Sequence, residues 1–104
     1  MNQGVRAVKT CCAAMARKLS KLRDRKKREC FAFLASADGE YFIADWVNEN
    51  ESKVLGDVSA SEFGDGVLLD KWLEWLGGDG FKNFVDTIIP LIEKIFEIIA
   101  GIAI

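Results

Sequence analysis

The chain of 104 residues contains no histidine. That absence removes the usual general base near neutral pH, the Ser-His-Asp and Cys-His routes to an activated nucleophile, and the HExxH zinc site. Cysteine occurs three times, with Cys11 and Cys12 adjacent and Cys30 apart. Three thiols without a histidine cannot complete a tetrahedral zinc site within one chain, so they are expected to be small apolar side chains on helices. Aromatic residues are missing from the first 30 positions, which excludes stacking on nucleic-acid bases from that segment. A secretory signal is not legible either. The weakly apolar residues 11–16 precede the basic block and residues 31–35 are too short for an apolar signal core, so a cytoplasmic location is expected.

What is present is divided by charge. Ten of the 14 Lys and Arg lie in residues 1–30 against only Asp24 and Glu29, whereas residues 31–104 hold fourteen of the 16 acidic residues. The net charge of -2 thus conceals a basic segment, 1–30, and an acidic remainder, 31–104, which are read as the two parts of the chain. The basic groups concentrate in Arg17, Lys18, Lys21, Arg23, Arg25, Lys26, Lys27 and Arg28. Such a block is a solvated face or a surface for an anion, and it supplies the phosphate-contact part of nucleic-acid affinity without a means of reading sequence.

Periodicity points to helices. Val5, Val8, Cys12, Met15, Leu19 and Leu22 alternate steps of three and four, which predicts an amphipathic helix over residues 5–24 with a narrow seam. Around Asp38 and Gly39 a turn is expected. The apolar pairs Phe42 with Trp46 and Ile43 with Val47 favour a helix over residues 31–47, with a β-hairpin as the alternative. Asn48 to Ser52 is polar and reads as a connector, and Gly56 to Gly66 as a loop anchored by Val58 and Phe63. Leu68, Leu69, Trp72, Leu73 and Leu76 predict a helix capped by Asp65 or Gly66 and stopped at Gly77 and Gly78. Asp79 is expected to cap the last segment, which Pro90 either kinks or restarts with Thr87 as the new cap.

That last segment, residues 81–104, is apolar at fifteen positions. On a helix, Asp86, Pro90, Glu93 and Glu97 form one narrow stripe with Lys94 beside it, and the remaining circumference is apolar. Such a helix must be covered by the core, by a partner or by lipid. A passive membrane span needs about 20 residues without charge, and the longest uncharged runs here are residues 87–92 and 98–104.

Two further constellations carry little chemistry. Glu93 with Glu97, and Asp70 with Glu74, are spaced one helical turn apart but read as exposed pairs. Asp57, Ser59, Ser61 and Asp65 imitate the first half of a calcium-binding EF-hand loop, yet Glu62 replaces the turn glycine and Leu68 stands where the bidentate glutamate belongs. The expectation is a mostly α, small helical domain of about four helices, non-enzymatic and without a cofactor. Its task is assembly as a homo-oligomer or with a protein partner. Trp72, Trp75, Ile88, Ile92, Ile95, Phe96, Ile99 and Ile102 are the candidate interface, and the basic block faces an anionic partner. A peripheral membrane protein that inserts its C-terminal helix, and a sequence-nonspecific nucleic-acid binder, are the competing classes.

Overall fold

The computed structural model describes residues 2–56, 62 and 64–103. Five α-helices occur among them: α1 (Gln3–Lys18), α2 (Arg25–Ala35), α3 (Glu40–Leu55), α4 (Asp65–Trp75) and α5 (Phe81–Ala103). The mostly α expectation holds. Because α4 and α5 are joined by a five-residue wide turn, Leu76–Gly80, the described chain packs much as the four-helix reading expects.

Helix α1 begins where the Asn2 side-chain carbonyl accepts the Gly4 N–H at 2.7 Å, a cap that satisfies one of the donors left free at a helix start. Its seam buries Val5, Val8 and Cys12, and half-buries Met15 and Leu19. The helix then ends at Lys18, six residues before the expected limit at residue 24. Leu19 leaves the helical region with ψ 69, and a short 3-10 turn, Leu22–Asp24, leads into α2. Like charges within one helical turn repel, and the block from Arg17 to Arg28 is where the chain breaks. The freed Leu19 carbonyl is taken up by Arg28, whose Nη1 donates to it at 3.1 Å.

The hairpin alternative for residues 31–47 is not realised, since α2 and α3 meet across the 3-10 turn Ala37–Gly39. The turn is tight enough to need glycine: a Cβ on Gly39 would stand 2.5 Å from Leu34 Cα. The expected connector at Asn48 to Ser52 is also corrected, because α3 continues through it to Leu55. Ile43, Trp46, Val47, Asn50 and Leu55 keep one face buried, and the Asn50 amide donates to the Trp46 carbonyl at 2.8 Å. A polar stretch thus remains helical because apolar anchors lie on both sides of it and its one inward amide is satisfied. Gly56, with φ 66, ends α3, a conformation that glycine adopts without strain.

Gly64, rather than Asp65 or Gly66, occupies the cap position of α4. Asp79 lies within the wide turn and does not cap α5, and Gly78, with ψ −129, is where the helical path breaks. Helix α5 runs unbroken through Pro90, so no second helix starts at Thr87. Val58, Phe63 and the loop residues Asp57, Ser59 and Ser61 lie outside the described residues.

All five helices supply one core, which joins Val8 and Cys12 of α1, Phe31 and Leu34 of α2, Trp46 and Val47 of α3, Trp72 of α4, and Phe84 and Ile92 of α5. Aromatic contacts tie its layers. Trp46 meets Trp75 at 5.6 Å and the edge of Phe84 at 5.1 Å between ring centroids, separations at which aromatic pairs attract beyond their area. The molecule measures 50 × 26 × 21 Å with a radius of gyration of 14.6 Å, more extended than the about 13 Å of a compact chain of this length. Helix α5 has 23 residues and is therefore about 34 Å long.

Candidate interaction surfaces

The C-terminal surface follows from how α5 leaves the core. Phe84, Ile88, Ile89 and Ile92 are buried, and Phe96 is partly covered, with its ring against the edge of Phe33 at 5.5 Å. Beyond it the covering ends. Ile98, Ile99 and Ile102 are 53%, 56% and 80% exposed, and Leu91 is 44% exposed on the outer face. Leu91, Ile95, Ile98 and Ile102 are separated by four, three and four residues, the spacing that aligns side chains into a seam for another helix. The acidic stripe of Asp86, Glu93 and Glu97 is exposed, as is Lys94.

The sequence-derived interface is therefore divided. Trp72, Ile88 and Ile92 belong to the chain's own core, Trp75, Ile95 and Phe96 are partly covered, and Ile99 and Ile102 remain open. Sequence reasoning missed Leu91 and Ile98, although their three-and-four spacing with Ile95 and Ile102 was available as a signal.

The second surface is the corner between α1 and α2. Arg17, Lys18, Lys21, Arg23, Arg25, Lys26 and Lys27 are exposed there, and Arg28 is half-buried through its bond to Leu19. The carboxylates within reach are local. Arg25 Nε donates to Glu29 at 3.1 Å and Arg23 lies 4.0 Å from Asp24. Among the described residues, no carboxylate of the acidic remainder pairs with this corner. Leu22, expected in the α1 seam, instead stands at the turn between Lys21 and Arg23 and is 83% exposed.

The remaining chemistry-bearing groups are dispersed. Burial pushes the Cys12 thiol up to about 12, with the neighbouring Cys11 adding to the effect. Burial also raises Cys11, and it raises Cys30 with help from the Glu93 and Glu29 carboxylates. Raised thiols are poor nucleophiles, because the thiolate is the reactive form. No group of three or more Cys, Asp or Glu among the described residues is placed to hold a metal ion. Asp70, Glu74, Glu93 and Glu97 are all exposed. Among the described residues, one open recess of about 210 Å³ lies between Gln3, Glu51, Leu55, Asp65 and Trp72, and another of about 470 Å³ lies beside Lys71, Glu74 and Trp75. Gln3 Oε1 is buried without a hydrogen-bond partner.

No helix among the described residues is long and apolar enough to cross a membrane. Comparison with family models, with curated proteins and with solved structures finds no match to this chain.

Proposed function

We propose that the protein is a non-enzymatic assembly protein of the cytoplasm, which pairs with a second copy through the last turns of α5 and presents its basic corner to an anionic partner. The observation that carries this reading is the exposure of Ile98, Ile99 and Ile102 on a helix whose earlier turns bury Phe84, Ile88, Ile89 and Ile92 in the core. Isolated exposed apolar residues are ordinary, but several on consecutive turns form a patch that water covers poorly. The spacing of Leu91, Ile95, Ile98 and Ile102 supports a helical occupant. A second copy of the same helix offers the same spacing, as a symmetric interface requires.

Sedimentation velocity of the full chain and of an Ile98→Ser/Ile102→Ser double variant tests the reading. The unaltered chain is expected to associate with rising concentration. The variant should sediment as a monomer with unchanged helicity, because both side chains lie outside the core. A monodisperse monomer at tens of micromolar for the unaltered chain would remove self-association from the proposal.

A further inference from the structure

We infer that the α1–α2 corner is a docking surface for an anionic lipid bilayer, with Leu22 as the residue that enters it and Lys18, Lys21, Arg23, Lys26 and Lys27 as the groups that meet its headgroups. This deepens the proposed contact with an anionic partner and rests on that part of the reading.

Three observations select lipid from the available anions. The corner is electrostatically open, since its ion pairs are confined to Asp24 and Glu29 of its own segment. Its apex is apolar, with Leu22 83% exposed between two basic neighbours. A leucine at that place does nothing for contact with a phosphodiester backbone. At a bilayer surface it passes the headgroups into the acyl boundary, while Lys and Arg on long stems stay at the phosphates. Finally, residues 17–28 hold no aromatic, Asn or Gln side chain. The aromatic rings that stack on bases and the amides that read adenine edges are therefore missing from the corner.

The geometry suits a broad surface. Helix α1 ends at Lys18, the chain turns through Leu22–Asp24, and α2 starts at Arg25, so the basic groups flank a projecting turn rather than line a groove. Each basic group near an anionic bilayer strengthens binding by about fivefold, and the attraction falls away within a Debye length. Binding is therefore steep in lipid charge and sensitive to salt.

Vesicle flotation of the full chain tests this, with phosphatidylcholine vesicles prepared with and without phosphatidylserine. Duplex DNA and polyglutamate serve as the other anions. The work is repeated in the Ile98→Ser/Ile102→Ser background, so that self-association and insertion of α5 do not contribute. The expected result is flotation only with phosphatidylserine, weakened by salt. Leu22→Ser should reduce it several-fold without changing charge, and Lys26→Glu with Lys27→Glu should reduce it by more than about tenfold. Circular dichroism should show all variants folded, as these side chains are exposed. Binding to DNA or polyglutamate with no flotation overturns the lipid assignment and keeps the anionic partner. Flotation that ignores Leu22→Ser overturns the role of Leu22 and reduces the corner to a general polyanion surface. Binding to none of the three anions overturns the underlying reading as well.

Discussion

Cys12 shows what a single position implies here. Its thiol is raised from an ordinary 9.0 to about 12, chiefly by burial. In the native protein it should resist iodoacetamide at pH 8 while the half-buried Cys11 is modified first, as peptide mass spectrometry would show. The sign of the linked stability follows. A group whose pKa is raised by folding contributes fully below the unfolded value, so stability is retained up to about pH 9 and lost as the pH climbs towards 12. Denaturant midpoints that rise over that interval would contradict the burial of Cys12. Gly4 makes an equally specific demand. A Cβ there would lie 2.6 Å from Trp72 Cε2 and 2.7 Å from Val47 Cγ1, both on buried side chains. Gly4→Ala should therefore lose about 1–3 kcal/mol through overpacking, despite the better helix propensity of alanine, and the melting temperature should fall by several degrees. The burial of Cys12 was legible from its place in the apolar seam, whereas the demand at Gly4 was not, because Trp72 and Val47 reach Gly4 only through the tertiary fold.

At the level of elements, legibility followed the apolar spacing and failed where charge or a distant contact decided. The stripe from Leu68 to Leu76 gave α4 with its glycine stop, and the inward face of α5 was legible from its isoleucines. The end of α1 was not, since Leu22 continues the seam in register. The helix ends where Leu19 leaves the helical region and its carbonyl accepts from Arg28 of α2, a contact made only in the tertiary fold. The polar run in α3 misled for the opposite reason: Leu55, one face further along, holds it helical. Which residues of α5 stay exposed was not legible, because the burial of Ile88 and Ile92 depends on which helices cover α5. Pro90 offers a test at this scale. It sits exposed within a continuous helix, lacking the N–H that the turn would use. Pro90→Ala should stabilise the fold by up to about 3 kcal/mol, seen as a higher melting temperature. A lower one would mean that the shape proline imposes on α5 is needed to seat Ile88, Ile89 and Ile92.

For the whole molecule, the division of charge along the chain becomes a division of surfaces. One core draws on both the basic and the acidic segments, so neither stands as a separate body. The α1–α2 corner and the far end of α5 are open, and Tyr41 of α3 and Val67 of α4 are exposed singly. Hydrogen exchange followed against protein concentration reads whether the last turns of α5 are covered by a second copy. In a monomer, the amides of residues 97–103 belong to an exposed helix end and exchange rapidly by fraying. The expected result is that their protection grows with concentration while that of the core residues around Trp46 and Phe84 stays constant. Rapid exchange of residues 97–103 at every concentration would contradict it.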